Sequence, residues 1–261
     1  MEGPQAVREA VRFAPERVVD LYLTAAAAAR YPEIVDAARD AGLWRHETSD
    51  EVLAAMSEDA QGVLAVVRTW TTSLGDVLVG AAAEDGRARR GPRLVALLSS
   101  VRDPGNAGTV IRAADAAGAD VVVLAAGSVE LFNPKVVRST AGSLFHLPVV
   151  TGVPVEDAVA ALRAAGLAVL AADGAGAHDL DDLADRAAGV AGPKDAPGVG
   201  DRPDLRSPTA WLFGTEAQGL SDAELTLADA SVRVPIRGHA ESLNLATAAT
   251  VCLYASSRAQ R

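Results

Sequence analysis

Short apolar runs with helical patterns between them organise the last two-thirds of the chain. The runs lie at residues 94–98, 120–124, 167–172, 210–213 and 231–234. Apolar strands that alternate with helices are typical of a parallel sheet buried on both faces. The pattern therefore predicts an α/β fold with a mostly parallel sheet.

The first seventy residues carry a second alternation of helices and strands. Apolar positions predict a helix near residues 3–12, a strand at 18–23, a helix at 32–41, a short helix at 50–56 and a buried strand at 62–67. We therefore expect a small α/β domain over residues 1–84, distinct from a larger domain over residues 94–261.

The stretch between the two expected domains, residues 85–93, lacks periodicity and concentrates arginines, among them Arg89 and Arg90. A flexible linker explains this composition. A linker that also contacts phosphate groups is the less favoured alternative, suggested by arginines that lie in an otherwise acidic chain. Both interpretations stay open at this point.

Composition narrows the classes of function. The 261 residues are 49% apolar, the formal net charge is −10 and the sequence pI is about 4.9. Such a charge argues against coating nucleic acid by bulk attraction, so any RNA contact must come from local basic patches. No apolar stretch reaches the roughly 18 to 20 residues of a membrane span, and we expect a cytoplasmic protein without membrane contact.

Cysteine and histidine usage bears on metal chemistry. The single cysteine, Cys252, excludes an internal disulfide and a multi-cysteine metal cage, and its apolar surroundings predict a buried thiol. The four histidines lack the i, i+4 spacing of a helix-borne metal pair. We expect no metal site.

The first candidate segment follows the run at residues 94–98 and reads Asp103-Pro-Gly-Asn106-Ala-Gly108-Thr-Val-Ile-Arg112. Asn106 is expected to cap the following helix, which gives the turn a purely structural explanation. That explanation does not account for Arg112, an arginine among apolar residues near a helix start. A guanidinium in this place suits contact with an oxyanion or a phosphate.

The second segment, Leu212-Phe-Gly214-Thr-Glu216-Ala-Gln-Gly219-Leu-Ser221, follows the run at residues 210–213. Its glycines allow the backbone to approach a ligand closely, and Ser221 is a candidate helix cap. The chain contains no phosphate-cradling Gly-rich motif with Lys, and it lacks a complete dinucleotide fingerprint. ATPase and dehydrogenase functions are therefore disfavoured.

The third segment is Val234-Pro-Ile-Arg-Gly-His-Ala-Glu-Ser242-Leu243-Asn244, and it leads into the C-terminal helix. Ser242 is expected either to cap that helix or to serve a site. His239 near Ser242 invites a hydrolase interpretation. However, no nucleophile elbow and no third triad member accompany the pair, which disfavours hydrolysis.

A fourth stretch places Lys135 and Arg138 three residues apart, on one face of an expected helix. Solvation of the surface explains two such cations. They are also candidates for contact with an RNA backbone.

The first three segments, in this order, resemble the three motifs of the SpoU (TrmH-like) RNA 2'-O-ribose methyltransferases of the SPOUT superfamily. The resemblance is strong from residue 94 onward. Before it, Glu2-Gly3 and the following helix resemble the start of the ribosomal-protein-like RNA substrate-binding domain that many members carry. A strand normally precedes that Glu-Gly, whereas only Met1 does here, so we expect either an upstream start or an open sheet edge.

The resemblance implies a C-terminal trefoil-knotted domain, a homodimer and S-adenosylmethionine as the cofactor, bound in the knot. It assigns the cofactor pocket to Gly214, Val234 and Leu243. The family's polar active-site positions fall on Asn106, Arg112, Glu216, Ser242 and Asn244. Lys135, Arg138, Arg89 and Arg90 become candidate RNA contacts.

The implied reaction is methyl transfer from S-adenosylmethionine to a ribose 2'-hydroxyl. Large-subunit (23S-type) rRNA is the leading substrate, tRNA is the nearest alternative, and a non-catalytic RNA-binding paralogue is the alternative from another class. Arg112 is expected to act either as the base or as a clamp for phosphate or alkoxide. The sequence leaves open which nucleotide is modified and whether antibiotic resistance results.

Overall fold

Two β-sheets organise the chain in this computed structural model, which describes residues 1–79, 91–190, 202–215 and 218–261. A three-stranded sheet comes from the N-terminal part, and a seven-stranded sheet begins at residue 94. Most of the expected linker, including Arg89 and Arg90, lies outside the described residues. The domain limits at residues 84 and 94 therefore stay predictions.

The N-terminal part contains four α-helices and three strands. In chain order they are α1 (Pro4–Phe13), β1 (Val18–Leu23), α2 (Ala25–Arg30), α3 (Pro32–Asp40), β2 (Arg45–Glu47), α4 (Asp50–Met56) and β3 (Val63–Val67). The strand order is β2-β1-β3, with β2 parallel and β3 antiparallel to β1. The predicted helices and strands are confirmed, whereas α2 and β2 were not predicted.

Residues 1–3 pair with the outer edge of β3. The amide of Ala65 donates to the carbonyl of Met1 at 2.9 Å, and Glu2 forms an antiparallel bridge with Leu64. Of the two outcomes expected at this sheet, a fully open edge is therefore not observed along β3.

The rest of the chain builds the larger sheet and its helices. The elements are α5 (Leu74–Val79), β4 (Leu94–Leu98), α6 (Pro104–Ala117), β5 (Val121–Leu124), α7 (Pro134–Ser139), β6 (Val149–Thr151), α8 (Val155–Ala164), β7 (Ala168–Ala172), β8 (His178–Asp179), α9 (Leu180–Ala187), β9 (Thr209–Phe213), α10 (Asp222–Leu227), β10 (Ala230–Arg233) and α11 (Leu245–Ala259). Their order is β6-β5-β4-β9-β7-β10-β8, with every neighbouring pair parallel. The predicted mostly parallel sheet is confirmed, and the trefoil knot stays a prediction.

Both faces of this sheet are buried, as β4 illustrates. Leu94, Ala96 and Leu98 share a cluster with α6, α7, α9 and α11, whereas Val95 and Leu97 share another with α5 and α8. The buried indole of Trp211 on β9 donates to the hydroxyl of Ser256 on α11 at 2.9 Å. This bond fixes α11 against the centre of the sheet.

The two parts of the chain meet at α7 and the turn that follows it. Arg138 pairs with the carboxylates of Glu2 and Asp59, the latter at 2.6 Å. Gly142 has a φ of +101°, and a Cβ at this position would overlap the side chain of Glu9 on α1. A glycine is therefore required where the N-terminal part packs closely on the larger domain.

Candidate functional site

A cleft of about 710 Å³ opens at the carboxyl ends of three neighbouring strands. Residues after β7, β9 and β10 line it, together with the segment that leads to α11. Ligands of open α/β sheets bind at this edge. The cleft brings together Gly214, Val234, Ser242 and Leu243, which are four of the residues singled out from the sequence.

Gly214 is required by the shape of the turn after β9. Thr215 and Gly219 exchange two backbone hydrogen bonds of 3.0 Å, which fold this turn back on itself. A Cβ at Gly214 would overlap the backbone of Gly219 and Leu220. Glu216, predicted to be catalytic, lies outside the described residues, so its placement stays a prediction.

Ser221 caps α10, as predicted. Its hydroxyl accepts from the amide of Glu224, and the Glu224 carboxylate accepts from the Ser221 amide at 2.7 Å, which completes a capping box. Burial opposes ionisation of Glu224, but hydrogen bonds from Ser221 and Ser99 outweigh it, so the pKa of this carboxyl is lowered. Ser99 follows β4, so these bonds also join the ends of two elements around the site.

The caps of α6 and α11 differ from expectation. The amide of Asn106 donates to Asp103 Oδ1 at 2.7 Å, so Asp103 is the cap and Asn106 belongs to the first turn. The cap of α11 is Asn244, whose Oδ1 accepts from Ala246 at 2.9 Å. The predictions that Asn106 caps α6 and that Ser242 could cap α11 are therefore wrong.

Asn106 and Asn244 meet across the site. Asn244 Nδ2 donates to Asn106 Oδ1 at 3.0 Å. This hydrogen bond connects the first and third segments, which are 138 positions apart in the chain. Because Asn244 directly follows Leu243 of the cleft lining, the pair lies next to the cleft.

Arg112 lies elsewhere on α6. It lies six positions after Asn106, which corresponds to about 240° around a helix axis. Arg112 lies on the same face of α6 as Gly108, which packs against Ser139 at the end of α7. Its side chain is exposed, and within the described ranges it forms no hydrogen bond or ion pair, so its guanidinium is accessible to a ligand. The cleft lining includes no residue of α6.

The two cations of α7 differ in their surroundings. Lys135 is exposed, and its side chain forms no ion pair with the described part of the chain. Arg138 is held by Glu2 and Asp59, which would compete with an RNA phosphate for the guanidinium. RNA contact by either residue stays a prediction.

Sequence reasoning missed part of the cleft. Asp173 and Gly174, after β7, line it together with the third segment. The available signal was an apolar run ending in Asp-Gly, the same pattern that marked the other strand ends. Arg233 also lines the cleft and pairs with Asp179 at 3.2 Å.

The cleft offers both charge signs but no metal cage. Carboxylates come from Asp173 and Glu241, and the guanidinium from Arg233. Among the described residues, no group of three or more His, Cys, Asp or Glu side chains is placed to hold a metal ion, and no helix is long and apolar enough to span a membrane. The lining suits an organic ligand that carries both charges.

Comparison with known proteins identifies the family to which this architecture belongs. The model of the SpoU rRNA Methylase family matches residues 93–254, and the model named RNA 2'-O ribose methyltransferase substrate binding matches residues 1–71. A 23S rRNA (uridine(2479)-2'-O)-methyltransferase of Streptomyces viridochromogenes is 40% identical over 161 residues, which are 59% of this chain and 49% of that protein. The chain thus spans about half the length of this relative.

Two further comparisons cover nearly the whole chain. A 23S rRNA (guanosine-2'-O-)-methyltransferase RlmB of Bordetella pertussis is 28% identical over 99% of this chain and 96% of its own length. The crystal structure of the SpoU methyltransferase AviRb from Streptomyces viridochromogenes, in complex with the cofactor AdoMet, has a TM-score of 0.74 and 31% identity. That similarity covers 97% of this chain and 88% of AviRb. The chain therefore belongs to the SpoU rRNA methylase family.

Proposed function

We propose that this protein is an S-adenosylmethionine-dependent RNA methyltransferase that modifies a ribose 2'-hydroxyl in large-subunit rRNA. The observation that carries the proposal is that the cleft lies directly beside the hydrogen bond that joins the first and third segments. Leu243 and Leu245 line the cleft, and Asn244 between them is hydrogen-bonded to Asn106 of the first segment. The names of the relatives support rRNA over tRNA as the substrate.

The cleft fits S-adenosylmethionine in size and chemistry. Its volume of about 710 Å³ lies within the roughly 300 to 1,000 Å³ of small-molecule sites. We assign contact with the cofactor to Gly214, Val234 and Leu243, which offer close backbone approach and apolar surface. The carboxylates of Asp173 and Glu241 suit its positive groups, and Arg233, which is also paired with Asp179, suits its carboxylate. When bound, the cofactor supplies an electrophilic methyl group.

The residues around the cleft would then orient the nucleophile. A ribose hydroxyl is a poor nucleophile, so the site must hold its oxygen in line with the methyl group and help remove its proton. The Asn106–Asn244 pair presents amide groups of fixed orientation next to the cleft. We assign positioning of the ribose to this pair, together with Ser242 and Glu216.

Arg112 is best suited to act as a clamp. A guanidinium carries a delocalised positive charge and offers hydrogen-bond donors but no acceptor, so it is an awkward base. Its exposed position on α6 leaves it open to a phosphate or to the developing alkoxide. With Arg112 acting as a clamp, water or a phosphate oxygen accepts the proton of the ribose hydroxyl.

We also propose that the protein acts as a homodimer in the cytoplasm. Val251 and Tyr254, three residues apart on α11, are 39% and 44% exposed. Large apolar side chains on one helical face favour contact with another protein surface. Light scattering after gel filtration tests the proposal: a dimer mass is expected, and a monomer mass at micromolar concentration would contradict it.

Calorimetry and a transfer assay test the proposed activity together. The purified chain is expected to bind S-adenosylmethionine and to transfer its tritiated methyl group to unmodified rRNA but not to unmodified tRNA. Transfer to tRNA alone would favour the other substrate. Cofactor binding without transfer to either pool would favour a non-catalytic paralogue.

A further inference from the structure

A second pocket lies where the N-terminal part meets the larger domain. It has a volume of about 200 Å³ and is formed by the residues that follow β3 and by α7 with its neighbouring turns. Arg68, Thr69 and Pro134 in its lining are exposed, so the pocket opens at the surface. Its volume is below the roughly 300 Å³ of sites for drug-sized ligands, which fits a single ring system.

Aromatic side chains form the wall of this pocket. The ring of Trp70 lies 4.8 Å from that of Phe132 and 5.7 Å from that of Phe145. The guanidinium of Arg17 stacks over Trp70 at 4.5 Å from the ring centroid. The chain has only ten Phe, Trp and Tyr residues, so three in one small pocket make it an unusually aromatic surface for this protein.

Positive charge gathers at the mouth of the pocket. Residues 1–79 contain thirteen acidic and seven basic side chains, which makes this part of the chain anionic. Arg68 nevertheless lines the pocket, and Lys135 follows the lining residue Pro134. Neither cation forms an ion pair within the described ranges, whereas Arg138 is paired with the carboxylates of Glu2 and Asp59. Arg68 in the lining and Lys135 next to it in sequence therefore offer two positive charges without an ion-pair partner.

We propose that this pocket, termed the junction pocket, binds one unpaired base of the RNA substrate. The base stacks against Trp70, and the adjoining phosphates contact Arg68 and Lys135. Unpaired bases stack on aromatic side chains, and a cation beside the ring adds to the attraction. The proposal rests on the proposed function, because it takes RNA as the ligand. It adds an anchoring site apart from the 710 Å³ cleft.

Fluorescence of Trp70 provides a direct readout. Of the three tryptophans, Trp211 is fully buried and Trp44 is 71% exposed. In a full-length Trp44→Phe protein, quenching by an added oligonucleotide therefore reports on Trp70. The probes are single-stranded adenosine hexanucleotides and a hexamer of abasic riboses with the same charge, added without cofactor. Saturable quenching by the adenosine hexamer and none by the abasic hexamer are expected. Equal responses to both, or no quenching by either, would overturn the proposal.

Two matched pairs of variants locate the binding. Thr69→Phe fills the mouth of the pocket from an exposed position and is expected to weaken binding at least about tenfold, while Thr69→Ser preserves it. Arg68→Ala should lower the slope of log affinity against log salt by about 0.7, the value for one phosphate of a single strand, and Arg68→Lys should retain the slope. Unchanged affinity in Thr69→Phe would contradict a base in the pocket.

Failure of this proposal and failure of the proposed function are distinguishable. The quenching titration needs neither cofactor nor methyl transfer, so it can succeed with an inactive protein. Conversely, rRNA methylation with an unchanged KM in Thr69→Phe would leave the enzymatic proposal intact and remove the junction pocket from RNA recognition.

Discussion

Asn244 Nδ2 donates a hydrogen bond to Asn106 Oδ1 at 3.0 Å, while Asn244 Oδ1 accepts from the amide of Ala246 at 2.9 Å. One amide group thus caps α11 and ties the third segment to the first. Both halves of the Asn244 amide are used, and neither an acid nor a hydroxyl reproduces the pair. The structure and the proposed activity therefore depend on different atoms of one side chain.

Two substitutions at Asn244 should separate capping from catalysis. Asn244→Asp keeps a good cap oxygen but loses the N–H donor, so we expect a nearly unchanged melting temperature and reduced methyl transfer. Asn244→Ala removes both, and the lost cap should cost about 1 kcal/mol of unfolding free energy. Thermal unfolding and turnover of both variants check this. Wild-type turnover in Asn244→Asp would show that the hydrogen bond to Asn106 has no catalytic role.

Arg112→Ala is expected to reduce turnover about 100-fold or more while leaving the calorimetric affinity for S-adenosylmethionine unchanged. The reason is that the guanidinium lies outside the cleft lining and is proposed to act on RNA or on the developing alkoxide. Arg163→Ala is a matched control, because Arg163 is an exposed arginine whose pairing with Asp229 lies away from the cleft. Full activity of Arg112→Ala would refute both the clamp and the base role.

Gly214→Ala tests the turn that borders the cleft. The added Cβ would overlap the backbone of Gly219 and Leu220, and relieving such an overlap costs about 1 to 3 kcal/mol. We expect cofactor affinity to fall at least about tenfold, as measured by calorimetry. Gly75→Ala, within α5, is the control, since among the described residues its Cβ would meet only Ser73, at ordinary contact distance. Equal cofactor affinities of the two variants would contradict a packing requirement at Gly214.

Cys252 should be inert in the folded protein. Burial raises the pKa of its thiol from 9.0 to about 12, so a thiol reagent at pH 8 should modify it only after unfolding in guanidinium chloride. Between about pH 9 and pH 12 the unfolded state loses this proton before the folded state does. This group's contribution to stability therefore falls as pH rises, by about 1.4 kcal/mol per pH unit. Cys252→Ala should lack this component, and equal pH profiles of the two proteins would contradict the raised pKa.

Apolar runs were a sufficient guide to the central strands, because β4, β5, β7 and β9 are buried on both faces. They did not reveal β2 or β8, which are two or three residues long and largely polar, or β6, which is apolar but only three residues long. The prediction of which nearby residue caps α6 was also wrong. Pro104 at the first helical position selects Asp103 rather than Asn106, since proline suits a helix start.

Contacts between the two parts of the chain could not be predicted from local sequence patterns. Arg138 pairs with Glu2, which lies 136 positions away in the chain, only because α7 packs against the N-terminal part. In contrast, the cleft position of Gly214, Val234 and Leu243 follows from strand ends meeting at one edge of a parallel sheet. Sequence patterns thus predicted the edge where the cleft forms, whereas the ion pairs around it required the structure.

The most direct measurement is the chemical position of the transferred methyl group. Unmodified large-subunit rRNA is incubated with the purified protein and tritiated S-adenosylmethionine. One portion is digested to nucleosides to identify the labelled nucleoside, and an intact portion is mapped by its resistance to alkaline cleavage at 2'-O-methylated positions. The proposed function predicts label on a ribose at one such position and none with Arg112→Ala. Label on a base, or no label despite bound cofactor, would contradict it.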